Sequence, residues 1–145
     1  MTIPASPSSK SELLSSMLLE LIEILRDRQG DTWSSIINIA SGKSATIAID
    51  DARIHLQAEG GQELQITVST AEPDAINDFE STGIALRKIM FGKSTLEKSV
   101  ASGKIFIRAS FGDLLKIRSV VASVLADTEI DQRLLSLWNR FDREW

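Results

Sequence analysis

Gly92-Lys93-Ser94-Thr95 is the stretch whose residue types come nearest to a chemical motif. A glycine and lysine followed by a hydroxyl residue close the phosphate-binding loop, where backbone amides and the lysine cradle phosphates at a helix start. That loop also needs a glycine five residues before the second one and a preceding strand. Here Arg87 stands in the glycine's place, inside an apolar helical pattern. Gly42-Lys43-Ser44 fails in the same way, with Ile37 where the glycine belongs. Both stretches read better as turns. His55, the single histidine, sits between Ile54 and Leu56 on the polar side of an alternating run, with no serine or acid pattern beside it, and reads as a surface residue. Asp50 and Asp51, or Asp74 and Asp78, could join a hard-cation site. Calcium wants ~6–8 oxygen ligands, however, and no loop has that spacing. No catalytic residue, metal ligand or cofactor site is expected, and the chain does not read as an enzyme.

Composition narrows the rest. The 145 residues fit one domain. A chain of this size typically buries about two-thirds of its unfolded surface, enough for a real core. With 43% apolar and 25% charged residues, the chain falls outside the fibrous and wholly disordered classes. A formal charge of −4 argues against a nucleic-acid partner, which wants a broad basic footprint. The absence of cysteine excludes disulfides, thiolate metal sites and a cysteine nucleophile. Residues 1–9, rich in Pro and Ser, read as a flexible tail without a secretory signal, followed by a single domain over 10–145. The most apolar segment, Leu13 to Leu25, contains Glu20 and Glu23. It is too short to span the hydrocarbon core of a bilayer. A cytoplasmic protein with no integral membrane segment is the expectation.

The elements follow from periodicity. Ser9 and Glu12 make a capping box for a first helix over 10–28, and Leu14, Leu18, Leu21, Ile22 and Leu25 form its stripe. Leu13, Met17 and Ile24 widen that stripe enough for more than one neighbour. From residue 33 the period shortens toward two, which predicts strands over 35–40, 45–49, 53–58 and 63–70, neighbours paired antiparallel. Pro73 and the acids around it suggest a short helix or ordered loop to about residue 80. An apolar helix from Ile84 ends at Gly92, and Ser94 with Glu97 caps a second one through Ala101. Ile105, Ile107 and Ala109 read as a fifth strand. Ser110 can cap a long helix with Leu114, Ile117, Val121, Val124 and Leu125 inward. Thr128 with Asp131 opens a last helix carrying Ile130, Leu134, Leu137, Trp138, Phe141 and Trp145 on one stripe. Core packing is the first reading of that stripe. An interface through Leu134, Trp138, Phe141 and Trp145, for instance in a homodimer, is the second. A membrane-surface face would want cations, whereas Asp131, Asp142 and Glu144 alternate with arginines.

The order helix, four strands, helices, strand resembles the sterol carrier protein type-two family, the non-specific lipid-transfer fold. The local match is Ile89-Met90-Phe91-Gly92-Lys93, then Leu96 and Ala101, then Gly103-Lys104-Ile105-Phe106-Ile107, with the family's spacing between the two Gly-Lys pairs. It covers about residues 10 to 120. Three departures stand out: Ala109-Ser110 where the family has glycine, an insertion over residues 72–83, and two long helices after the fifth strand. The resemblance implies an α+β fold with a five-stranded, mainly antiparallel sheet and helices on one face, extended by two C-terminal helices. It also implies an apolar or lipid-like ligand between sheet and helices, lined by Leu86, Met90, Phe91, Leu96, Val100, Leu114, Ile117, Val121 and Leu125. The alternative is a filled core, with the last helix serving as an interaction or oligomerisation face.

Overall fold

A computed structural model describes residues 10–61 and 63–145. The expected tail over 1–9 lies outside them, and with it the Ser9 cap. Helix α1 (Lys10–Arg28) has the expected bounds and buries Leu14, Met17, Ile22, Ile24 and Leu25. Gln29 and Gly30 then take left-handed backbone, φ 56° and 100°, and the chain turns at once into α2 (Asp31–Ala40). A strand was expected over 35–40. The spacing of Trp33, Ile36, Ile37 and Ala40 is i, i+3, i+4 and i+7, a helical face, and all four pack into the core with Leu25 and Leu64. The β-branched isoleucines favour a strand locally, but burying that face outweighs so weak a preference.

The three later strands of the expected four are present as a meander: β1 (Ser44–Ile49), β2 (Ala52–Glu59) and β3 (Gln65–Thr70), paired antiparallel. Ile47 faces Ile54 and Leu56 faces Val68 on the inner side, while Thr46 faces His55 and Ala48 faces Arg53 on the outer. His55 is half-buried, its Nδ1 3.2 Å from the Thr46 hydroxyl. The missing strand is supplied from elsewhere. Of the short helix or ordered loop expected to about residue 80, the loop is what forms: it crosses the outer face and enters β4 (Phe79–Ser81), parallel to β1. Arg53 fixes that crossing, donating to the Asn77 side chain at 3.1 Å and to the Glu72 and Ala75 carbonyls. The Asp78 carboxylate accepts the Thr46 amide at 2.9 Å. The Glu72 and Ala75 carbonyls accept from Arg53 and the Asp78 carboxylate accepts a strand amide, contacts that hold the segment extended over the sheet, which is why Pro73 starts no helix. β5 (Ile105–Ile107) pairs antiparallel with β4, giving the order β3-β2-β1-β4-β5. The sheet is thus five-stranded and mainly antiparallel, with one parallel pair.

Between β4 and β5 lie α3 (Gly83–Met90) and α4 (Leu96–Ala101). Gly92 ends α3 with φ 72°, and the Lys93 amide returns to the Lys88 carbonyl at 2.7 Å. Thr95, rather than Ser94, caps α4 by accepting from the Lys98 amide. Then come α5 (Phe111–Thr128), capped by Ser110 as expected, and α6 (Gln132–Glu144), capped by Asp131. Thr128 closes α5, its hydroxyl bonded to the Val124 carbonyl, and so does not open α6. Gly83 packs where no side chain fits, since a Cβ there would sit 2.5 Å from the Trp145 ring. Trp145 and the Gly83 amide both donate to Asp50 Oδ2, at 2.8 and 3.1 Å, so the end of α6 is tied to the start of α3 and the β1–β2 turn.

Helices gather on the inner sheet face. Leu14 and Leu18 of α1 and Leu86 of α3 pack on Ile47, Ile49, Ile54 and Val68. The main core joins α1, α2 and α6, with Leu134 and Leu137 fully buried and Trp138 and Phe141 nearly so. The stripe entertained as an interface therefore points into its own chain. Leu134, Trp138 and Phe141 are not available to a second copy, and Trp145 is half-buried and stacked on Phe141.

Candidate functional site

Helix α5 is eighteen residues long and buries none of them. Its inward positions Leu114, Ile117, Val120, Val121, Val124 and Leu125 are all half-buried, although apolar side chains at helical spacing normally close against a neighbour. The reason is the space beneath them. A cavity of about 320 Å³ lies between α5 and the sheet. α1 contributes Leu14, Met17, Leu18 and Leu21 to it, and the strands Ile47, Ile49 and Phe79. α3 adds Leu86, Ile89 and Met90, α5 Val120, Val121, Val124 and Leu125, and α6 Leu137, Trp138 and Phe141. Every lining side chain is apolar. The indole N–H of Trp138 is already committed to the Thr128 hydroxyl at 2.9 Å, so its ring presents carbon to the cavity. Such a chamber can hold hydrocarbon and offers water no hydrogen-bond partner among its side chains.

A second cavity of about 380 Å³ adjoins the first, and Ile47 and Phe79 line both. Its walls are Ile39 and Ala40 of α2, inward residues of β1 to β3, Ile107 and Ile117. Lys43, Asp78, Arg108 and Asp113 stand among them. Lys43 lies 3.7 Å from Asp113, and Arg108 lies 3.9 Å from Asp78. Ion pairs as exposed as these contribute no more than about 1 kcal/mol. The arrangement is an apolar chamber next to a vestibule with a charged rim. A larger furrow of about 890 Å³ runs between α1 and α6, but it is open and lined by Glu20, Glu23, Arg26, Asp27 and Arg133. Ion pairs such as Arg133–Asp27 at 2.8 Å account for that furrow's charge.

Of the residues expected to line a pocket, Leu86, Met90, Val121 and Leu125 meet in the chamber and Ile117 lines the vestibule. Leu96 lines neither space and packs with Ile89 and Ile105 in a cluster that adjoins the chamber. Leu114 is half-buried and lines neither space. Phe91 and Val100 are exposed, which corrects the expectation for both. Phe91 sits beyond the last turn of α3 as its C-cap, and α4, only six residues long, turns Leu96 and Ser99 inward and leaves Val100 outside. The lining residues contributed by α1, β1 and α6 fall outside the residues expected for the lining. The width of the α1 stripe was the available signal, because Leu14, Met17, Leu18 and Leu21 cover more arc than one neighbouring helix needs.

The chain has an α+β fold with an apolar chamber between a five-stranded sheet and a helical layer, the architecture that the sterol-carrier resemblance implied. No family model matches the chain, and no curated protein matches it. Among solved structures it is similar to one described as "UbiJ-SCP2 Ubiquinone synthesis protein", at 13% identity over 83% of this chain and 93% of that one, with a TM-score of 0.48. That likeness concerns fold alone and assigns this chain no ligand. Among the described residues no helix is long and apolar enough to cross a membrane.

Proposed function

We propose that the protein binds and carries an apolar or amphipathic small molecule, holding it under α5 without converting it. The observation that supports this is the wholly apolar chamber of about 320 Å³ roofed by a helix with no buried residue. Ligand pockets typically span roughly 300–1,000 Å³ and are mostly apolar with a few polar groups that orient the ligand. The chamber is at the small end of that range, and the vestibule supplies the polar groups, Lys43 and Arg108 beside Asp78 and Asp113. A chain-like hydrocarbon tail in the chamber with its polar end at the rim fits both spaces.

Native mass spectrometry and solvent extraction after detergent-free purification test the reading, together with uptake of a fluorescent fatty acid. A co-purified apolar molecule and saturable uptake are expected. Val121→Phe, which puts a ring into the chamber from α5, lowers uptake roughly tenfold or more while the fold persists. No extracted molecule together with no uptake, or uptake unchanged by Val121→Phe, overturns it. The alternative of an interaction module built on the last helix has lost its main support, because that helix's stripe is internal.

A further inference from the structure

The charge of this chain is unevenly placed. Between Ile84 and Arg118 it carries eight of its 16 basic residues and only two of its 20 acidic ones, a net +6 within a chain of −4. The same stretch holds Ile84, Phe91, Val100, Phe106, Phe111 and Leu115, six of the ten exposed large apolar side chains of the described residues. Phe111 is 76% exposed and Leu115, one turn later on the outward side of α5, is 46% exposed. Lys88, Lys93, Lys98, Lys104 and Lys116 pair with no carboxylate among the described residues. The arginines of the stretch are paired, Arg87 with Asp142, Arg108 with Asp78 and Arg118 with Glu97, as are Arg28, Arg133 and Arg140 of α1 and α6, so its free charge is that of the lysines. The basic elements are also neighbours, since β5 is an edge strand and α4 packs on both β5 and α5.

From this placement we infer that the β5 edge, with α4 and the N-terminal half of α5, is a docking surface for an anionic lipid bilayer. Unpaired lysines are attracted to a negative leaflet, and exposed Phe and aliphatic side chains bury at the headgroup boundary. Arg108, Asp113 and Ile117, which line the vestibule, belong to the same stretch, so docking brings the vestibule to the membrane. That benefit rests on the ligand reading, whereas the docking itself does not. The charge disfavours a second copy, because a two-fold contact sets Lys98, Lys104 and Lys116 against their own copies. The apolar composition disfavours single-stranded nucleic acid, whose bases stack on aromatic rings, because half of these six side chains are aliphatic.

Flotation of the full chain with vesicles of phosphatidylcholine, and of phosphatidylcholine with a third phosphatidylserine, tests the inference. Binding is expected to the second vesicle and to weaken as salt is raised. Phe111→Ser with Leu115→Ser reduces it about tenfold or more. Lys104→Gln and Lys116→Gln reduce it about fivefold each. All four side chains are exposed, and circular dichroism confirms that the variants fold. Equal binding to both vesicles, binding unaffected by the Phe111 and Leu115 changes, or tighter binding to a single-stranded oligonucleotide than to the vesicles overturns it. So does a concentration-dependent dimer that Phe111→Ser dissociates. Val121→Phe separates the two proposals: it lowers fatty-acid uptake and keeps docking, while Phe111→Ser with Leu115→Ser keeps uptake in vesicle-free solution and weakens docking.

Discussion

The two C-terminal helices have similar apolar content inward and quite different surroundings. α6 buries Leu134, Leu137, Trp138 and Phe141, and its polar side is braced by Arg133–Asp27 and Arg140–Glu20. α5 buries nothing, and its inward valines line a cavity. α5 is also held unevenly. At its C-terminal end Asp127 lies 3.3 Å from Arg28 and accepts the Thr32 hydroxyl at 2.6 Å. At its N-terminal end the ion pair is the exposed Lys43–Asp113, at 3.7 Å. The contrast separates two uses of an amphipathic helix, one that closes a core and one that roofs a space, and it places the firm attachment of the roof at the α5–α6 junction.

Truncation tests this most sharply. Leu134→Ala leaves a cavity in a filled region and costs about 2–5 kcal/mol, whereas Val121→Ala removes atoms that face an existing space and costs about 1 kcal/mol or less. Urea denaturation of the two variants measures both. Equal costs would mean that α5 is packed as tightly as α6, and the comparison would fail.

Much of this architecture was legible from the amino-acid pattern. The last helix's stripe, the three-strand meander, the Gly92 and Gly103 turns and the Ser110 cap all follow from local spacing. What escaped depends on contacts made at a distance. Residues 35–40 carry isoleucines that suit either a strand or a buried helical face, and burial against Leu25 and Leu64 decides for the helix. β4 is three residues long and is set by Arg53 and Asp78 reaching across the sheet, interactions that no periodicity displays. The pocket was half legible for the same reason. Leu86, Met90, Val121 and Leu125 sit on faces that any helical reading turns inward, but whether such a face meets side chains or a void depends on how closely its neighbours approach.

A gentler probe is exchange of backbone amides. Helices covering few buried contacts open locally at lower free energy than the elements that close the core. Amides of the first half of α5 are expected to exchange roughly ten times faster, or more, than those at the centre of α6, with the end of α5 near Asp127 intermediate. An apolar ligand that fills the chamber narrows the gap by slowing α5 alone. Uniform exchange along both helices would remove the distinction between roof and core.

The smallest effect concerns the junction itself. Asp131 caps α6 and holds its carboxylate well below the ordinary value of 3.8, chiefly through the Arg133 side chain; burial opposes the shift, and the Arg133 amide and Arg28 reinforce it. A depressed folded-state value means that the charge contributes stability above the unfolded value and loses that contribution as pH falls through the folded one. Asp131→Asn keeps a good helix cap but removes the charge, so it is expected to cost about 1 kcal/mol at neutral pH. The difference from the unaltered protein then shrinks as pH drops below about 4. Because Arg28 bridges Asp131 and Asp127, the loss loosens the fixed end of α5 as well as the start of α6. Faster exchange at both places, with the sheet unchanged, marks the junction as the hinge of the roof. Loosening confined to the first turn of α6 would show that Asp131 serves as a cap alone.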